Sequence, residues 1–272
     1  MNDIEIICIG NELLNSCTKD SNSFWLVKKI SSIGGEVKRI TIIPDDLQII
    51  NTTIKEAIKR KPKWILTTGG LGPSDDDKTL EGVSIATNKQ LILNPEGIRM
   101  LKKKYEQLGQ INKLNKFRMK MAKSPNGSEL IENPKGIAPA ILLRINATNI
   151  MCLPGVQKEM KRIFLKKIQK EMKNDFFEKI NYIKEVEFRV ENGNETDLIP
   201  FIKKCYEENN TIDNNLYIKT HAQTPKKEKK NIRIVISVSG KNKSKIKEKI
   251  KILTTELKKF TEVMNGKLYK IE

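Results

Sequence analysis

Trp64-Ile-Leu-Thr-Thr-Gly-Gly-Leu-Gly-Pro-Ser-Asp-Asp-Asp-Lys-Thr79 is the stretch whose reading decides the fold. Its apolar start, Trp64-Ile65-Leu66, reads as a buried strand that runs through Thr67 and Thr68 into Gly69, Gly70, Leu71 and Gly72. Glycines placed directly after a buried strand let the backbone take positive φ and approach a ligand, so that N–H groups converge on an anion such as a phosphate. Asp75, Asp76 and Asp77 follow at once and offer hard oxygens suited to Mg²⁺ beside a phosphate. The plainer alternative is a solvated turn and an acidic helix start, which the helix dipole also favours.

Outward from that stretch, alternation continues on both sides. Glu5–Ile9 reads as a buried strand ending at Gly10, and Asn11–Leu14 as the start of a polar loop. Asp20 or Ser21 caps a helix over 22–32 with Phe24, Leu26, Val27 and Ile30 on its apolar side. A strand over Glu36–Ile43 leads through Pro44-Asp45-Asp46 into a helix over Leu47–Lys59, with Ile50, Ile54 and Ile58 at four-residue spacing. Strand, helix, strand, helix, strand with short loops predicts an α/β sandwich with a mostly parallel sheet. Ligands of such sheets bind at the carboxyl ends of the strands, where Gly10, Asp45 and Gly69 lie.

Further on, helices are expected over 80–87, 96–108 and 116–123, the last running into a loop over 124–127. A turn is expected at Asn133–Gly136, and a hairpin of Ile137–Arg144 with Asn149–Leu153 completes the sheet. Pro154 and Gly155 then break strand from a long lysine-rich helix over 157–178, a role that spacing alone explains. After Asn181 the pattern restarts as strand 184–190, helix 196–208, strands 216–219 and 232–239, and helix 243–260, with Gln223–Lys230 as a hairpin tip. The chain therefore divides into a domain of residues 1–178 and a small β-α-β-β-α domain of residues 181–272.

Composition narrows the function classes. Apolar residues are 38% and charged residues 31% of the 272, enough for cores when the apolar residues cluster. The net charge of +18 is spread as +11 over residues 1–180 and +7 over 181–272, and aromatic residues are only 6%. Neither a concentrated basic stripe nor a set of stacking platforms is visible, so nucleic acid is not the expected partner. Four cysteines without a C-x-x-C pair exclude a zinc ribbon and read as reduced thiols. No apolar run approaches a membrane span and no signal-peptide pattern opens the chain, so the expected location is the cytoplasm. With His221 as the single histidine, and outside the first domain, Ser-His and Cys-His nucleophile pairs are excluded there. Carboxylates, hydroxyls and backbone amides remain, the equipment of metal-assisted phosphoryl or nucleotidyl chemistry.

Taken in order, G-N-E-L-L at 10–14, D-S-N at 20–22, P-D-D at 44–46, T-G-G-L-G-P-S-D-D-D-K-T at 68–79 and L-P-G-V-Q-K-E-M at 153–160 closely resemble the N-terminal region of the competence/damage-inducible protein A (CinA) family, within the molybdopterin-binding superfamily. The tail resembles the small KH-like domain of that family, without a G-x-x-G loop, and the deamidase domain of many full-length members does not follow. The resemblance implies a three-layer α/β/α fold, a homo-oligomer, and a nucleotide or pterin phosphate as ligand. It implies phosphate or ligand contacts at Gly10, Asn11, Asp20, Asn22, Thr68, Gly69, Gly70, Leu71, Gly72, Ser74, Thr79, Pro154 and Gly155. A divalent ion, Mg²⁺ or Co²⁺, would sit on Asp76 and Asp77, with Asp77, Asp45 and Glu12 as catalytic acids. Hydrolysis of ADP-ribose-like pyrophosphates is the expected activity; molybdopterin binding or adenylyl transfer, and a non-catalytic nucleotide or nucleic-acid binder, are the alternatives. Three positions depart from the family pattern: Ser16 in place of glycine, Ser74 in place of threonine and Gln157 in place of proline.

Overall fold

The structure is a computed structural model that describes residues 3–176, 182–191, 195–209, 214–222 and 231–271. It forms two compact units, Met1–Phe177 and Glu178–Glu272.

The first unit runs β1 (Asp3–Ile9), α1 (Asn11–Leu14), α2 (Asn22–Ser31), β2 (Glu36–Ile43), α3 (Leu47–Lys59), β3 (Trp64–Thr68), α4 (Thr79–Thr87), β4 (Leu91–Leu93), α5 (Pro95–Gln107), β5 (Lys123–Pro125), β6 (Glu129–Ile131), β7 (Ala140–Ile145), β8 (Thr148–Leu153), α6 (Gln157–Ile163) and α7 (Gln169–Phe176). Its main sheet has the order β2-β1-β3-β8-β7-β6. β2, β1, β3 and β8 are parallel, and β7 and β6 join antiparallel. The central strands read as continuous apolar runs because both of their faces are covered. Ile4, Ile6 and Cys8 turn to one side, against Leu26 and Ile30 of α2 and Met160, Ile163 and Met172 of α6 and α7. Ile7 and Ile9 turn to the other, against Ile50, Ile54 and Ala57 of α3 and Val83 of α4. The result is the expected three-layer sandwich, with every parallel strand ending on one edge of the sheet.

Several local expectations fail for identifiable reasons. Phe24 is 74% exposed, because the buried stripe of α2 is Ser23, Leu26 and Ile30 and Phe24 falls off it by one residue. Trp25 packs instead, edge to face on Phe164 with centroids 5.5 Å apart. Asn11–Leu14 is a single helical turn rather than a loop. The helix expected over 116–123 shrinks to a 3₁₀ turn at Arg118–Ala122, since Lys123–Pro125 leaves it to pair with β4 as a two-stranded ribbon. Residues 137–139 belong to a loop, so the hairpin begins at Ala140. The long helix after Val156 is continuous but widens to a π segment at Phe164–Ile168.

The second unit comprises β9 (Tyr182–Glu191), α8 (Ile199–Asn209), β10 (Asn214–Ala222), β11 (Asn231–Gly240), α9 (Lys243–Val263) and β12 (Lys267–Ile271). Its antiparallel sheet has the order β10-β11-β9-β12. One face carries Phe188, Ile234, Ile236 and Val238, which pack on Phe201, Ile250, Leu253 and Leu257 of the helices. β12 is not evident in the sequence, where lysines interrupt a five-residue segment that pairs only as an edge strand. The expected tip at Gln223–Lys230 lies outside the described residues. Among the described residues no helix is long and apolar enough to cross a membrane.

Candidate functional site

The carboxyl ends of β1, β2, β3 and β8 converge, and the glycines there serve the protein's own packing first. Gly69 has φ 105°, and a Cβ on it would lie 2.0 Å from the Ile9 carbonyl oxygen. Gly70 has φ 66°, and its Cβ would meet Thr79 Oγ1 at 2.2 Å. Both need the left-handed freedom of glycine. Thr79 is fully buried and its hydroxyl donates to the Gly69 carbonyl at 2.8 Å. It is a strut under the turn, not the ligand contact expected from the sequence. Thr68, 3% exposed, is likewise internal and accepts from Asn22 Nδ2 at 3.0 Å.

Beyond the glycines, Asp77 folds the loop back on itself, its Oδ2 accepting the Ser74 N–H at 2.8 Å. The hydrogen bonds that close the turn run through the N–H groups of Gly69, Ser74, Asp77 and Thr79. They leave the N–H groups of Gly70, Leu71 and Gly72 without a partner among the described residues. Adjacent unpaired N–H donors in a glycine turn form an anion-binding concavity. The second oxygen of Asp77 also stays unengaged among the described residues.

Two further loops are tied to the strand ends around this turn. The Asn11 N–H donates to Asp45 Oδ2 at 2.8 Å and the Asp45 N–H to Asn11 Oδ1 at 3.3 Å, locking the first loop to the end of β2. Asp20 spends its carboxylate on the N-terminus of α2, accepting the N–H groups of Asn22 and Ser23, the Ser23 hydroxyl and the Cys8 thiol. Asp20 is therefore the helix cap, and Ser21 contributes no side-chain cap. Asn22 Nδ2 bridges Thr68 Oγ1 and the Gly155 carbonyl at 2.7 Å. Ser16 adopts φ 66°, the conformation a glycine takes at less cost, by about 1–2 kcal/mol, which accounts for the glycine usual there in the family it resembles.

Gly10, Glu12, Asp45, Gly69–Ser74, Asp76, Asp77, Pro154 and Gly155 line one cleft of about 920 Å³. Asp20, Asn22 and Thr68 instead border a smaller hollow of about 210 Å³ that shares Glu12 and Gly155 with it. Burial, and then the charges of Glu12, Asp76 and Asp77, hold the Asp45 carboxyl above the usual carboxylate range, while the Asn11 N–H works in the opposite sense. No three ligating side chains among the described residues are drawn together tightly enough to hold a metal ion by themselves. The donor set still fits Mg²⁺, which uses one or two carboxylates and completes its shell with phosphate oxygens and water. A cation would also relieve the mutual repulsion recorded at Asp45.

The remainder of the cleft wall is given no ligand role by the sequence. Tyr105, Arg118, Lys135, Gly136 and Glu159 line it. Asn133, 3% exposed, holds the Lys135–Ala138 loop: Oδ1 accepts the N–H groups of Lys135 and Gly136, and Nδ2 donates to the Ala138 carbonyl and to Glu159 Oε2 at 2.7 Å. Lys120 Nζ donates to the Ser74 carbonyl. On the far side of the glycine loop, an apolar hollow of about 460 Å³ is lined by Leu71, Pro73, Leu80, Leu91, Phe117 and Met119 with lysines at its rim. Arg118, Phe117 and Met119 carry no local signal, since they reach the site through the segment that leads into the β4–β5 ribbon.

A glycine turn beside a group of carboxylates, at the carboxyl edge of a parallel sheet, lies where ligands of such sheets bind. The chain belongs to the family described as probable molybdopterin binding domain, which matches residues 5–174. It is 36% identical over 265 residues to a protein of Sulfurisphaera tokodaii, covering 96% of each chain. A protein of Sulfolobus acidocaldarius is 35% identical over 267 residues, covering 98% of this chain and 97% of its own. Among solved structures, the protein CinA of unknown function from Thermoplasma acidophilum is 32% identical with a TM-score of 0.58, covering 62% of this chain and 98% of that one.

Proposed function

We propose that the protein is a hydrolase of nucleotide pyrophosphates that works with a divalent cation in the cleft beside Gly70–Gly72. The observation that carries this reading is the row of unpaired N–H groups at Gly70, Leu71 and Gly72 in the same cleft as Glu12, Asp45, Asp76 and Asp77. The N–H groups take phosphate oxygens. Asp76 and the open oxygen of Asp77 would hold Mg²⁺ or Co²⁺, whose chemistry is to neutralise phosphate charge and acidify a water. Asp45, whose carboxyl holds its proton more tightly than an ordinary aspartate, orients the attacking water and accepts its proton. Glu12 stands beside it as a second acceptor. The apolar hollow beyond the loop suits a flat heteroaromatic ring.

A second reading, favoured by the family match, is binding or adenylylation of a pterin phosphate, which requires the same cradle and cation. Incubation of the protein with Mg²⁺ or Co²⁺ and ADP-ribose, FAD, NAD, or ATP with molybdopterin, with chromatography of the products, separates the two. Release of AMP from ADP-ribose or FAD is the expected result. Turnover only with ATP and molybdopterin together would assign the second reading.

A further inference from the structure

Arg118 stands in the cleft as a cation without a carboxylate. Ion pairs engage Arg60, Arg99, Arg144, Arg189 and Arg233. None among the described residues engages Arg118 or Lys135, although five acids, Glu12, Asp45, Asp76, Asp77 and Glu159, share their cleft. Arg118 is nevertheless fixed. Its Nη1 donates to the Lys113 carbonyl at 3.0 Å, and its backbone N–H donates to Asn115 Oδ1 at 3.0 Å. Its guanidinium lies 5.6 Å from the ring centroid of Tyr105, which is 2% exposed and itself part of the cleft wall. Lys135 is anchored at its backbone by Asn133, leaving its side chain exposed. Holding an unpaired guanidinium in place before a ligand arrives lowers the ordering cost of binding an anion.

A phosphate on the Gly70–Gly72 N–H groups leaves these two cations unsatisfied, and a cleft of about 920 Å³ has room for more than one phosphate. We propose that Arg118 and Lys135 receive a second anionic group of the ligand, so that the cleft selects diphosphates over monophosphates. The inference rests on the reading of the glycine turn as a phosphate site and adds to it the residues that set selectivity.

AMP and ADP, which differ by one phosphate, test it by calorimetry at saturating Mg²⁺. Wild-type protein is expected to bind ADP at least about tenfold more tightly than AMP, as for one added charge-assisted contact. Arg118→Ala is expected to weaken ADP by roughly tenfold and AMP by less than about threefold. Lys135→Glu, at an exposed side chain with no partner among the described residues, should do the same without touching the fold. Equal affinities in the wild type, or undiminished ADP binding in both variants, would overturn the inference while leaving the phosphate turn standing. Binding of neither nucleotide to the wild type would overturn the phosphate reading and this inference with it.

Discussion

Replacing Thr79 with valine separates a strut from a ligand contact. The side chain is fully buried, and its hydroxyl is the partner of the Gly69 carbonyl at 2.8 Å. Valine keeps the shape, so the change removes one donor and leaves a buried carbonyl unsatisfied. Such a loss costs about 1–3 kcal/mol. For a unit of this size, roughly 2–4 °C of Tm per kcal/mol gives a fall of about 2–12 °C. Thr79→Ser retains the donor and deletes only a methyl group, so it should cost about 1 kcal/mol and keep the turn closed. Thermal and urea unfolding followed by circular dichroism, alongside ligand titration, decides the matter. A valine variant as stable as the wild type that has lost ligand affinity would refute the strut and return Thr79 to the binding surface.

Asp77→Asn keeps an acceptor for the Ser74 N–H but removes the charge, so Tm should hold while metal-dependent turnover falls about a thousandfold, some 4 kcal/mol of transition-state stabilisation; wild-type kinetics would sink the assignment. Gly70→Val places its Cβ against Thr79 Oγ1 and forces a β-branched residue to φ 66°, so it should cost roughly 3 kcal/mol or more and damage folding as well as binding. An unchanged Tm would contradict that. Folded Asp45 keeps its proton to higher pH than the unfolded chain, so its contribution is favourable at low pH and turns unfavourable as pH rises through the raised value. Asp45→Asn should therefore be more stable than wild type at pH 7, with the difference vanishing below about pH 4, and a pH-independent difference would rule this out. Burial pushes the Cys152 thiol up to about 11 and the Cys205 thiol to about 12, and raises Cys8 as well, whereas Cys17 is exposed. A thiol reagent at pH 8 should label one cysteine in native protein and four in denaturant, and fast labelling of a second native thiol would count against the packing described.

The sequence by itself determined the α/β sandwich, because runs such as Ile6–Ile9 and Trp64–Leu66 are apolar on consecutive residues and can be buried only between two layers of helix. It also singled out Gly69–Gly72 and Asp45 at strand ends and Asp77 just ahead of α4, residues that line one cleft. Division of labour among those residues was settled only in three dimensions. Thr79, Thr68 and Asp20 carry the same polar atoms as a ligand contact would, and only their partners at Gly69, Asn22 and the first turn of α2 show those atoms already engaged. The basic wall was invisible for a different reason. Arg118 and Lys135 belong to irregular segments whose course is set by β4–β5 pairing and by the side chain of Asn133, long-range contacts that no local periodicity encodes.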